Sequence, residues 1–213
     1  MLFEEVLAIV GQAPVFETGL LLAGDVNPPY LRRQLSDWVN SGKLWQLRRG
    51  LYALAPPYQK TTPHPFLVAN RMVAGSYVSL QAALSYYGLI PEHVPVVTSV
   101  TTRRPGEWEN PVGAFSYRHI RPELFFGFER QAVTSEQFAY VARPEKALLD
   151  LIYLQSGGDS LPFLASLRLQ NLDQFDMVQF ERFVARVGKP KLKRAAASVA
   201  EIVTAEAETY EPL

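Results

Sequence analysis

A chain of 213 residues, 48% hydrophobic and 12% aromatic, is long enough to bury one good core and leave material for a second small one. Lys plus Arg and Asp plus Glu number 21 each, so overall charge neither supports nor excludes a nucleic-acid partner, whose footprint is local. The absence of cysteine excludes disulfides, thiolate zinc sites and thiol nucleophiles. No apolar run approaches the ~20 residues of a membrane span, and MLFEEVLAIVGQ carries glutamates where a signal peptide is positive. The expectation is a soluble cytoplasmic protein.

In chain order, Leu2, Phe3, Val6, Leu7 and Val10 repeat at helical spacing. Thr18 is a candidate cap for a short helix that Gly24 would stop. Asn27 and Pro28 then mark the start of a third helix, PYLRRQLSDWVNSGK. Its residues Leu31, Leu35, Trp38 and Val39 share one apolar face, and Gly42 ends it. LWQLRRGLYAL, residues 44–54, reads as two short strands with a basic tip. Three helices followed by a hairpin is the order of a winged helix-turn-helix domain, expected over residues 1–58. APPYQKTTPHP follows, with prolines at 56, 57, 63 and 65, and marks a domain boundary.

From residue 63 to 213 the pattern is mixed α/β, so the expected class is α+β with a small sheet and a helical C-terminal tail. Helices are expected over 65–73, from a Ser79 cap to Gly88, and from Pro144 through PEKALLDLIYL, with three more after Ser160. Strands are expected at 95–102, 113–120 and 137–142.

The chemistry concentrates in the first region. Opposite the buried face of the third helix lie Pro29, Arg33, Asp37 and Asn40, flanked by Tyr30, Arg32 and Ser36. In helix-turn-helix docking such a face meets the major groove. Arg33 is the candidate base reader, because a guanidinium bonds guanine in bidentate fashion. Tyr30 and Arg32 suit the backbone or the neighbouring base edge. Arg48 and Arg49 at the hairpin tip suit phosphate or minor-groove contact. From Tyr30 to Ala55 there are five basic residues, Lys43 among them, against the single acid Asp37.

A second basic set is Arg103, Arg104, Arg118, His119 and Arg121, which converge if their strands are neighbours. A third is Lys189, Lys191, Lys193 and Arg194 at the start of the last helix. That helix ends in Glu201, Glu206 and Glu208, an inverted polarity that implies a partner for its basic end. The acid-x-Lys arrangement of Glu145, Lys146 and Asp150 reads as one amphipathic helix, with Ala147, Leu148, Leu151 and Ile152 on its apolar face and Glu145 compensating the dipole. His64, His93 and His119 lack ligand spacing, so neither metal nor cofactor is expected, and the chain is expected not to be an enzyme.

WVNSGKLWQLRRGLYAL, SYVSLQAALSYYGLIPE, VTTRRP, FSYRHIRPELFFG and VARPEKALLDLIY, in that order, resemble blocks of the AbiE-type abortive-infection antitoxins (AbiEi family regulators). The likeness covers roughly residues 30 to 155. It implies a repressor that binds inverted repeats in its own promoter. It also implies a phage-defence antitoxin that counteracts a co-encoded nucleotidyltransferase-like toxin without a stable complex. Two rivals stand beside it. One is a stand-alone winged-helix regulator whose second domain senses a small ligand, which a deep apolar pocket would favour. The other is a nuclease with a DNA-targeting domain, which a constellation of acids at metal-binding distance would favour.

Overall fold

Asparagine and proline punctuate the first region as their chemistry dictates. The computed structural model describes residues 1–23 and 26–209, with side chains to residue 204. The chain begins with α1 (Phe3–Val10), the two-residue strand β1 (Phe16–Glu17), the single turn α2 (Thr18–Leu21) and α3 (Pro28–Asn40). A hairpin follows, β2 (Leu44–Arg48) and β3 (Leu51–Leu54). Asn27 Oδ1 accepts the Tyr30 amide at 3.1 Å, and Pro28 opens α3, where its missing N–H costs nothing. Leu31 and Leu35 are wholly buried, while Trp38 and Val39 are half-buried against the same small core.

β1 and β2 flank β3 in an antiparallel three-stranded sheet. A two-residue strand has no alternation to read, and β1 was not expected. The Thr18 cap is also corrected. Its hydroxyl and amide both donate to the Gly50 carbonyl, at 3.4 and 3.0 Å, and so tie α2 to the hairpin turn. The expected stop at Gly24 lies outside the described residues.

Beyond the proline-rich stretch come α4 (Pro65–Met72), β4 (Ser76–Val78), α5 (Leu80–Tyr86), β5 (Val96–Thr101), β6 (Gly106–Asn110) and β7 (Gly113–His119). β8 (Phe128–Ala132), β9 (Phe138–Ala142), α6 (Pro144–Leu154), α7 (Leu161–Ser166), α8 (Met177–Val187) and α9 (Pro190–Thr209) follow. Six strands form one sheet in the order β6-β7-β5-β4-β9-β8. The pairs β5–β7 and β4–β9 are parallel and the rest antiparallel. The class is α+β, but the sheet is larger than the small one expected. Its unforeseen edge strands, GEWEN and FERQA, carry charge and lack a clean apolar alternation. Edge strands are where charge is commonest, because it discourages pairing with another chain.

The two regions share packing. Val15, Leu47, Leu51 and Ala53 belong to the same buried cluster as the large sheet and its helices. At its centre, α6 is buried from Glu145 through Ile152. This corrects the amphipathic reading, since its polar side chains also face protein. Among the described residues no helix is long and apolar enough to cross a membrane.

Candidate functional site

Burying Leu31 and Leu35 turns the other side of α3 outward. Tyr30, Arg32, Arg33, Ser36, Asp37 and Asn40 are all exposed, and Tyr30 is an exposed aromatic at 57%. Neither Arg32 nor Arg33 belongs to an ion pair among the described residues, although Asp37 sits one turn beyond Arg33. The helix therefore presents two uncompensated guanidiniums beside an aromatic ring. Lys43 stands apart from this face. Its ammonium lies over the Phe3 ring, 4.9 Å from the centroid, on the seam between α1 and the hairpin.

The hairpin tip divides its two arginines. Arg49 is exposed and in no ion pair among the described residues, and Gly50 supplies the positive φ of 82° that the turn needs. Arg48 turns back onto the second region. Its guanidinium donates to the Met72 carbonyl and lies 5.3 Å from the Trp108 ring centroid. Asn110 Nδ2 donates to the Leu47 carbonyl at 3.2 Å, and Arg71 pairs with Glu17 at 3.7 Å. The hairpin is thus clamped to α4 and β6: Arg48, although exposed like Arg49, has partners within the chain. Trp108 and Asn110 were not singled out in the sequence, where nothing in GEWEN points across to residues 47 and 48.

The second basic set does converge. Parallel pairing sets Val100 beside Arg118 and Thr101 beside His119, so the chain leaves both strands at the same end of the sheet. Arg103, Arg104, Arg118, His119 and Arg121 are all exposed, and His119 Nδ1 lies 3.1 Å from the Arg103 carbonyl oxygen. Arg121 has a loose pair with Glu123 at 3.8 Å; the other three arginines have none among the described residues.

The third set is largely absorbed within the chain. Lys191 Nζ donates to the carbonyls of Tyr153 and Gln155 at the C-terminus of α6, where a cation suits the helix dipole. Arg194 makes a two-pronged contact with Asp159, at 2.9 and 2.6 Å, which holds that carboxyl below the usual range. The partner implied by the inverted polarity of α9 is therefore α6 and the turn after it. Lys189 and Lys193 stay exposed, as does Glu201; Glu206 and Glu208 lie outside the described side chains.

The most polar part of the interior was read differently in the sequence. Lys146 and Asp150 form a fully buried ion pair one turn apart on α6. Tyr77 Oη and Ser79 Oγ each donate to Asp150 Oδ2 at 2.9 Å, and Lys146 Nζ donates to Tyr77 Oη at 2.9 Å. Burial pulls Lys146 down and Asp150 up, and their mutual attraction opposes both shifts. Burial and the neighbouring Asp150 carboxylate raise Tyr77, which stays a neutral donor. Every member of the network is satisfied from inside the protein.

Ser79 stands at the expected N-cap position of α5, but its side chain, turned to Asp150, makes no cap bond. Thr98 on β5 supplies the missing acceptor, its Oγ1 accepting the Ala82 amide at 3.1 Å and donating to the Ser79 carbonyl at 2.8 Å. Leu80 starts α5 at φ 58°, a left-handed conformation costing about 1–3 kcal/mol in a non-glycine residue. Glu145 is buried rather than merely dipole-compensating. Its Oε1 accepts the Asp176 amide at 2.9 Å, and burial raises its pKa.

Among the described residues, no three His, Cys, Asp or Glu side chains are grouped to hold a metal ion. No family model matches the chain, and no curated protein matches it.

Proposed function

We propose that residues 1–58 are a winged helix-turn-helix domain and that the chain is a DNA-binding transcriptional repressor. The observation that carries this reading is the outward face of α3. It joins Tyr30, Arg32, Arg33 and Asp37 on a helix whose opposite side is buried, with neither arginine in an ion pair among the described residues. The order α1-β1-α2-α3-β2-β3, with β3 central in its sheet, supports the same reading. In this arrangement α3 enters the major groove with Arg33 toward a guanine edge. Arg49, free at the hairpin tip, contacts phosphate. Arg48 holds the hairpin instead of touching DNA. Arg103, Arg104, Arg118 and Arg121 form a second anion-attracting surface.

The likeness of residues 30–155 to AbiE-type antitoxins extends the proposal. The chain represses its own promoter at inverted repeats and opposes a co-encoded nucleotidyltransferase-like toxin without a stable complex. The test has two arms. The full chain should protect a discrete site upstream of its own reading frame from nuclease, and co-expression should rescue growth of cells carrying the neighbouring nucleotidyltransferase. Protection that does not discriminate that site from scrambled DNA defeats the repressor reading. Rescue failing while protection persists removes only the antitoxin role.

A further inference from the structure

A cleft of about 430 Å³ opens between the start of α4, the end of α5 and the β6–β7 turn. That volume lies at the small end of the roughly 300–1,000 Å³ range of ligand pockets. Buried Ala82 and Val97 contribute to its lining. One wall is a run of rings: His64 lies edge-on to Phe66 at 5.1 Å, and Phe66 is tilted against Tyr86 at 5.4 Å. Tyr86 is 41% exposed, a large aromatic surface left to solvent beside the cleft.

The polar chemistry is specific. His64 Nδ1 accepts the Phe66 amide at 3.1 Å, and burial holds the imidazole below its ordinary pKa, in its neutral form. The single ring proton is then on Nε2, which has no hydrogen-bond partner among the described residues. An aromatic wall beside an imidazole N–H that has no partner among the described residues, with His93 also in the lining, matches a flat ring bearing acceptors on its edge.

The far wall leads to the hairpin. Val112 lines the cleft, and its amide donates to Asn110 Oδ1 at 2.9 Å. The Nδ2 of the same side chain donates to the Leu47 carbonyl in β2. Two hydrogen bonds through one asparagine therefore join the cleft to the hairpin.

We propose that the cleft binds a small planar heteroaromatic of purine size, accepting from His64 and stacking on Tyr86, and that occupancy is passed to hairpin β2–β3 through Val112 and Asn110. The effect on DNA affinity rests on the function proposed above; the binding and the response of the hairpin do not. Calorimetric titration of the full chain with adenine should saturate at one site, with cyclohexanecarboxamide as a non-planar control. Tyr86→Ala, at an exposed position, should weaken adenine about tenfold and leave DNA affinity in the absence of adenine unchanged. Adenine should alter amide exchange across residues 44–54, and Asn110→Ala should abolish that response while adenine still binds. On the upstream DNA, adenine and DNA should shift each other's affinity by one common factor.

No saturable adenine binding, equal binding of the control, or an unaffected Tyr86→Ala variant overturns the site. Adenine binding without a change in hairpin exchange overturns the transmission. Failure of specific DNA binding alone, with the adenine and exchange results intact, defeats the repressor reading and leaves the cleft standing.

Discussion

Helices α3 and α6 both carry charged residues within an apolar frame, and they use them in opposite ways. On α3 one face is buried, so Arg32 and Arg33 are exposed, without an ion-pair partner among the described residues. On α6 every face from Glu145 to Ile152 is covered, and Lys146 and Asp150 meet each other, Tyr77 and Ser79 inside. A satisfied internal charge is a structural element; an outward charge without a counter-ion is the one still able to attract a ligand. On the surface a milder form of the contrast holds: Arg48 and Lys191 donate to backbone carbonyls within the chain, whereas Arg49 and Lys193 are in no ion pair among the described residues.

The largest effect expected from this contrast is on stability. Asp150→Ala leaves the Lys146 ammonium uncompensated in the interior and should cost about 3–5 kcal/mol. Chemical denaturation measures this, and Lys146→Met with Asp150→Leu should recover part of the loss, because no buried charge remains although Tyr77 and Ser79 lose their acceptor. If the single variant is as stable as the parent, the network is not a structural element.

The two hairpin arginines sharpen the comparison next. Arg49→Ala should reduce the log–log salt slope of DNA binding by about one. Arg48→Ala should leave that slope unchanged while raising amide exchange across residues 44–54, since its guanidinium is bound to Met72 and Trp108. Equal slope changes in both variants would return Arg48 to the DNA surface.

The smallest expected effect is the pH dependence of the α4 cap. Burial lowers His64 below its ordinary 6.5, so the unfolded chain takes up its proton first. Its contribution to stability is present above pH 6.5 and is lost as pH falls through the lower folded value. His64→Asn keeps an acceptor for the Phe66 amide and should flatten this part of the stability curve. An unaltered curve would assign the acid sensitivity elsewhere, with buried Glu145 contributing in the opposite direction: its raised pKa means stability lost as pH rises.

In the first region α1, α3 and the hairpin were legible because each carries a local signal, whereas the two-residue β1 carries none. Asn27-Pro28 starts α3, the spacing of Leu31 and Leu35 fixes its buried side, and Arg-Gly at 49–50 marks the hairpin turn. Contacts made at long range were not legible. Thr98 capping α5, Arg48 reaching Met72, and Lys191 reaching the end of α6 join positions 16, 24 and 36 or more residues apart. The Lys146–Asp150 pair has the i,i+4 spacing that is common on solvated helices; only the packing on all sides of α6 makes it internal. The arginines near β5 and β7 were visible as charges, and their convergence waited on the parallel pairing.

The proposed function turns on α3 reading DNA through its outward face. Its most direct test measures Arg33→Ala against operator and scrambled duplexes of equal length at one salt concentration. Operator affinity should fall by about 1–3 kcal/mol, with a much smaller change on the scrambled duplex. Equal losses on both duplexes, or no loss on either, would contradict a base-reading role for this face.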